Sequence, residues 1–283
     1  MTHSDLIFTK RIKPKQVVLT WSLCILGILM LFPFFWAFAT SLRLPKNSFN
    51  LPPSFFPTEW RWDNYAFVFN AIPLMQFIVN SMKVVVTIVV IQLFFSSLSA
   101  YAFARLKFRG SNAMFIYLIA GLMIPYQSIS IAQFLIITKM GVVDSHIALI
   151  LPYLANPFGI FLLRQSMRTI PMSYDDASMI DGCSRFRTYW NIILPMSGPS
   201  LAVVAFMKFI EQWNNFFAPL IYINTMEKFT LPLGMQVLKG FRSSGSLAHI
   251  LAGVMISLIV PAIVYVFGQK YLVKGTMLSG LKS

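Results

Sequence analysis

The sequence predicts an all-α membrane protein of six transmembrane helices, and three observations carry that expectation. Hydrophobic residues make up 57% of the 283 residues and charged ones 11%, with a mean hydropathy of +0.69, far from the usage of a soluble domain of this length. Six stretches, about 16–40, 77–104, 112–137, 145–163, 198–222 and 247–269, supply the roughly 20 apolar residues that a helix needs to cross a hydrocarbon core of about 30 Å. None has the alternation of barrel strands, and lipid offers no partner to an unpaired backbone group, so helices remain. A single transmembrane domain over residues 1–283 is expected.

The first run follows KRIKPK and contains Ala37-Phe38-Ala39, an arrangement that imitates a cleavable signal peptide. Its apolar length exceeds the roughly 7–15 residues of a signal core, so a retained first helix is expected. The stretch from Ser41 to Pro73 is rich in proline and aromatics, with Pro45, Pro52, Pro53, Pro57, Trp60, Trp62 and Tyr65. Such residues suit a loop packed at the membrane interface. Pro33, Pro125, Pro152, Pro157, Pro219 and Pro261 fall in the apolar runs, and each removes a backbone hydrogen bond, so kinks are expected.

Lysine and arginine fix the expected orientation. The N-terminal tail (Lys10, Arg11, Lys13, Lys15), the 105–110 loop, the 164–197 segment and the C-terminal tail (Lys270, Lys274, Lys282) carry fourteen, and the other side carries seven: Arg43, Lys46, Arg61, Lys139, Lys228, Lys239 and Arg242. Both termini are therefore expected in the cytoplasm. This division among short loops also accounts for the net charge of +14 without a nucleic-acid surface.

Soluble-enzyme chemistry is nearly absent. GTMLSGLKS, residues 275–283, comes close to a phosphate-binding loop, but Leu281 separates the second glycine from Lys282 and no strand precedes it. His3, His146 and His249 are far apart and lack metal-ligand spacing, and Cys24 and Cys183 fall in different environments, so neither a metal site nor a disulfide is expected. No nucleophile, base and acid set stands out.

One polar stretch interrupts the apolar runs. Residues 170–195, IPMSYDDASMIDGCSRFRTYWNIILP, hold three of the nine acidic residues. Ser173 with Asp176 three residues on resembles an N-terminal cap, and Gly182 suits a turn of positive φ, so two short helices are expected: one to Gly182, a second to Leu194 before Pro195. Ala177 and Ser178 are small enough for close approach by another protein. Met179, Ile180, Phe186, Trp190 and Ile193 form an apolar stripe that also fits a plain interfacial linker.

The segment resembles the EAA loop of binding-protein-dependent ABC importer permeases: Glu-Ala-Ala, three residues, Gly, nine residues, Ile, one residue, Leu-Pro. Asp176, Ala177 and Ser178 stand at Glu-Ala-Ala, with Gly182, Ile192, Leu194 and Pro195 at the remaining positions. Asp176 shortens the carboxylate and Ser178 adds a hydroxyl. AYAFARLKFRG (100–110), MIPYQ (123–127), ALILPYLANPFGIFLLRQ (148–165), Trp213-Asn214 with Pro219-Leu220, and QKYLVKG (269–275) extend the likeness to the six-helix permease of maltose-type oligosaccharide importers. The resemblance implies a transmembrane subunit of an ATP-driven di- or oligosaccharide importer in a prokaryotic inner membrane, coupled through 171–195 to a cytoplasmic ATPase dimer. That ATPase, rather than this chain, would bind ATP and Mg. A second related permease, an extracytoplasmic sugar-binding protein and surrounding lipid are the other implied partners. Rival readings are an ABC permease for a glycerol phosphate diester, polyol or amino acid, and a secondary transporter, for which neither inverted repeats nor a charged pore ring is visible.

In the fifth run, Lys208, Glu211 and Asn215 are spaced by three and four residues and so share a helical face. Counted from an inner end near Ser200, Lys208 lies roughly 12 Å deep and Glu211 roughly 16 Å. Charges at that depth face a partner or an aqueous path. Two roles are open: a Lys208–Glu211 pair that fastens the helix, or a wall of the translocation path on which Asn214 and Asn215 offer hydrogen bonds to sugar hydroxyls.

Overall fold

The computed structural model describes residues 14–47, 56–240 and 246–280. His3, the basic residues Lys10, Arg11, Lys13, Arg242 and Lys282, Pro52 and Pro53 of the first loop, and Leu281 lie outside the described residues. Among the described residues there is no strand. The helices run α1 (Pro14–Ser41), α2 (Asp63–Ala71), α3 (Leu74–Arg105), α4 (Ser111–Ala120), α5 (Tyr126–Lys139), α6 (His146–Ile150), α7 (Pro157–Thr169), α8 (Ser173–Ile180), α9 (Arg185–Thr188), α10 (Leu194–Met196), α11 (Gly198–Trp213), α12 (Phe217–Tyr222), α13 (Leu231–Gly240) and α14 (Leu247–Gly280).

Three helices, α1, α3 and α14, are long and apolar enough to cross a membrane unaided; the number rises to six if each of three bent pairs counts as one span. Pro33 and Pro261 sit inside α1 and α14 without ending them. Pro125 acts differently. It forces the preceding Ile124 into an extended conformation at φ −89°, ψ 114°, and the segments 111–123 and 126–139 meet at 99°. Pro157 occupies the first turn of α7, where a missing N–H costs nothing, and Asn156 caps it by accepting from the Gly159 amide at 3.0 Å. That junction bends by 47°.

The fifth run also departs from one continuous helix. It ends at Trp213 and resumes at Phe217, because Asn215 Oδ1 accepts the Ala218 amide at 3.2 Å and starts α12 afresh.

Within the ranges Met1–Phe67 with Ser246–Met255, and Val68–Gly245 with Ile256–Ser283, the described residues form two compact units. In the first, the aromatic loop is packed. Asn64 Nδ2 donates to the Ser41 and Arg43 carbonyls, each at 2.8 Å, the Ser41 and Tyr65 hydroxyls share a hydrogen bond of 2.8 Å, and Trp62 stands edge-on to Phe38. In the second, α3 is the axis and packs chiefly against α7 and α11. One cluster (Val84, Ile88, Ile137, Leu149, Tyr222, Leu233) surrounds its first half, another (Ala100, Tyr101, Leu163, Met167, Tyr189, Ile193, Val204) its last turns. Gly234 lets α13 lie directly on Phe77: a Cβ there would stand 2.1 Å from the ring.

Candidate functional site

The patterned segment lies beside the last turns of α3 and folds as expected in outline. α8 runs from Ser173 to Ile180, and its first turn carries Asp175 and Asp176 against the positive helix end. The expected cap is not formed: Ser173 lies inside the helix, and Met172 precedes it without a side-chain cap bond. Gly182 takes φ +73°, the Cys183 amide donates to the Ser178 carbonyl at 2.9 Å, and the Gly182 amide donates to that of Met179 at 3.1 Å. This pair of hydrogen bonds over a left-handed residue is the Schellman closure that only glycine adopts without cost. Ser184 then caps α9 through the Arg187 amide. A π-helical turn at Tyr189–Ile193 leads into α10, and Arg185–Met196 meets α11 at 75°.

Three side chains of α3, spaced by four and so on one face, hold this hairpin. Ser97 shares a hydrogen bond with the Tyr189 hydroxyl at 2.8 Å, and Tyr101 donates to the Arg185 carbonyl at 3.0 Å. Arg105 donates to the Ile170 carbonyl at 2.8 Å and faces Asp175 at 3.4 Å, with 2% and 8% of their side chains exposed. Across the turn the Ser178 and Thr188 hydroxyls are 2.8 Å apart, both buried. None of Ser97, Tyr101, Arg105, Asp175 and Thr188 was singled out from the sequence. The four-residue spacing on α3 was available as a signal; their partners were not.

The residues at the EAA-like spacing therefore split by direction. Asp176 and Ala177 are exposed, whereas Ser178 points inward, a departure from its expected place on the docking face, since its hydroxyl is spent inside the hairpin. Ile192 and Leu194 are half-buried against the α3 cluster and Pro195 is exposed. Of the apolar stripe, Met179, Ile180, Phe186 and Trp190 face outward, with Phe186 and Trp190 stacked, while Ile193 is fully buried. An exposed carboxylate thus sits among exposed apolar side chains.

On α11 the Lys208 ammonium donates to both Glu211 oxygens at 2.7 Å. The lysine side chain is 13% exposed and the glutamate 57%, so the carboxylate faces out of the chain. The single face expected for Lys208, Glu211 and Asn215 breaks at the end of α11. Asn215 turns toward α12 and donates to the Tyr153 hydroxyl at 2.8 Å and to Gln212 Oε1 at 3.1 Å. Asn214 donates back to the Ile210 carbonyl at 2.9 Å. Gln92 of α3 donates to the Tyr153 carbonyl, joining these polar groups to the axis helix.

At the other end of α3, Asp144 takes a left-handed φ of +58° and gathers a turn: it accepts the Asn224 and Thr225 amides at 2.9 Å each, the Thr225 hydroxyl, and the Lys228 ammonium at 2.9 Å. Hydrogen bonds from Thr225 first, then Lys228 and Asn224, hold its carboxyl well below the usual carboxylate range.

Residues 92–273 match the family model described as "Binding-protein-dependent transport system inner membrane component". The chain is 32% identical to an arabinooligosaccharides transport system permease protein of Halalkalibacterium halodurans, over 87% of this chain and 88% of that one. It is 31% identical to a galactooligosaccharides transport system permease protein of Bacillus subtilis (92% and 93% covered), and 30% identical to a trehalose/maltose transport system permease protein of Thermococcus litoralis (95% and 97%). Its fold is similar to a chain in the crystal structure of a bacterial ABC transporter involved in the import of the acidic polysaccharide alginate, with a TM-score of 0.79 at 22% identity over 90% and 95% of the two chains.

Proposed function

The chain belongs to the family of binding-protein-dependent transport system inner membrane components, and from that premise we propose that it is one of two transmembrane subunits of an ATP-driven importer of di- or oligosaccharides. The oligosaccharide cargo of its permease relatives supports the substrate class. In this reading both termini are cytoplasmic, residues 1–283 form one permease domain, and 171–195 is the coupling loop. ATP and Mg belong to the ATPase dimer, and an external binding protein delivers the sugar to a pair made with a second permease.

One observation carries the coupling role: the hairpin is anchored on one side by Ser97, Tyr101 and Arg105, while Asp176, Ala177, Met179, Ile180, Phe186 and Trp190 remain uncovered on the other. Four large exposed apolar side chains on α8, α9 and the π-helical turn form a docking face. Movement of a partner against that face passes to α3 through polar bonds and to α11 through α10. Gly182, Ser178, Ile192, Leu194 and Pro195 keep the face in shape. Glu211, uncovered on α11 with Lys208, turns toward the second permease or the sugar path, and Asn214 and Asn215 flank it at the helix break.

Two variants test this. Gly182→Pro cannot adopt φ +73° and is expected to abolish uptake while ATP hydrolysis continues. Asp176→Lys sets a cation at a positive helix end, costing about 0.3–1 kcal/mol, and should lower uptake less. Membrane vesicles with both variants inserted and binding-protein-stimulated uptake at the wild-type level would reduce the segment to a linker. In a background lacking Cys24 and Cys183, a cysteine replacing Glu211 should react with a water-soluble thiol reagent at a rate that changes with ATP and binding protein. Equal, negligible labelling in each state would leave Lys208–Glu211 a fastening pair.

A further inference from the structure

A cleft of about 670 Å³ opens beyond the end of α3, between the 106–110 loop, the first turn of α4 and the last turns of α7. Lys107, Arg109, Arg164 and Arg168 line it, and no acidic residue does. Arg164 is already engaged, its Nε donating to the Phe103 carbonyl at 3.1 Å and its guanidinium lying 3.9 Å above the Phe115 ring. Lys107, Arg109 and Arg168 are exposed, and among the described residues none of the three forms an ion pair. The first turn of α4 adds the partial positive charge of a helix start. The charged side chains that line the cleft are all of one sign, and an anion among them would offset their mutual repulsion.

Two of the cleft's residues, Phe103 and Ala113, also line a groove of about 540 Å³ completed by Met114, Tyr117 and Leu118. That groove follows the exposed side of α4, where Met114, Ile116 and Tyr117 are uncovered and no wall residue is charged. A cationic pocket continuous with an apolar groove, on a helix within a membrane-spanning pair, has the outline of one phospholipid: phosphate at one end, acyl chain at the other.

We infer that this is a binding site for an anionic phospholipid. The headgroup phosphate lies among Lys107, Arg109 and Arg168 with the first turn of α4, and an acyl chain lies along Phe103, Met114, Tyr117 and Leu118. Charge argues against the chain's own N-terminal tail as occupant, since Lys10, Arg11 and Lys13 outnumber Asp5. The inference requires only that α4 meet lipid, and so stands apart from the sugar and ATPase assignments.

The test is native mass spectrometry of the chain, purified with the subunits it brings, after exchange into detergent with added phosphatidylglycerol or phosphatidylcholine. Wild type is expected to retain phosphatidylglycerol at least about ten-fold more tightly than phosphatidylcholine, and Lys107→Gln/Arg109→Gln/Arg168→Gln should lose most of that preference. Ala113→Trp, which fills the groove and keeps every cation, should weaken retention as well. Equal retention by wild type and the triple variant would overturn the site. So would displacement of the lipid by millimolar inorganic phosphate alone, which would make it a free-anion site, or a preference that appears only after the co-purified subunits are stripped away, which would make the cleft a protein interface.

Discussion

The two ends of α3 hold the rest of the chain by different chemistry. Near Leu74, Gln76 and Asn80 donate to the Glu227 carbonyl at 2.8 Å each, Asn80 donates again to the Phe229 carbonyl at 3.0 Å, and Ser81 accepts the Leu231 amide at 2.7 Å. Every held group is backbone. Near Arg105 the grip includes side chains: the Tyr189 hydroxyl and the Asp175 carboxylate as well as the Ile170 and Arg185 carbonyls. The polar bonds of the first fastening are indifferent to which side chains the held segment carries. The second reads identity and charge, so a substitution in the held segment, not only in α3, releases it.

The largest effect should come from breaking the second fastening at its charge pair. Arg105 and Asp175 are nearly dry, and removing one partner of such a pair costs on the order of 3–5 kcal/mol, because the other charge stays buried alone. Asp175→Asn or Arg105→Gln is expected to sever stimulated ATP hydrolysis from uptake, with the protein still inserted. The exchange Arg105→Asp with Asp175→Arg should restore part of the coupling. The same measurement on Glu227→Ala, whose carbonyl alone is held, should show near-normal uptake. Equal losses at Asp175 and Glu227 would erase the distinction between the ends.

A smaller effect, at the Leu74 end, depends on shape. A methyl group at Gly234 would overlap the fully buried Phe77 ring, and overpacking of this kind costs about 1–3 kcal/mol. Gly234→Ala should lower thermal stability of the purified chain while the uptake-to-hydrolysis ratio of the surviving fraction stays normal. A changed ratio would mean that both ends transmit movement.

Sequence reading reached the apolar runs of α1, α3 and α14 because hydrophobic length is a local property, and it reached Gly182 because a single residue's backbone freedom is local too. It could not separate Asp175 from Asp176. Neighbours on a helix point about 100° apart, and only the position of Arg105, seventy residues away, decides which is buried. The end of α11 was hidden for the same reason. Asn215 accepts the Ala218 amide of α12 while bonded to Tyr153, 62 residues earlier, so the break depends on a contact that periodicity does not carry. Pro125 was visible as a breaker, but the 99° angle is set by how α5 packs.

The smallest effect is expected at the Asp144 turn, beside the Leu74 end of α3, and it should depend on pH. The Asp144 carboxyl is held below its ordinary pKa of about 3.9 by the Thr225, Lys228 and Asn224 bonds, so the folded chain binds its proton less readily than the unfolded chain does. The stability this contributes is fully present above about pH 4 and is lost as pH falls below that toward the folded pKa. Asp144→Asn keeps a residue that tolerates φ +58° and removes the charge, leaving Lys228 without its ion pair. Melting temperatures of wild type and Asp144→Asn should therefore differ by a constant small amount from pH 6 to 8 and begin to converge as pH falls below about 4. The carboxylate is solvent-reachable, and added salt should narrow the neutral-pH difference as well. By contrast, the Arg105–Asp175 pair is shielded from solvent, so the cost of Asp175→Asn should hardly respond to salt. A salt response at Asp175 as large as that at Asp144 would show that the Arg105 end is as wet as the Leu74 end, and the contrast between the two ends would fail.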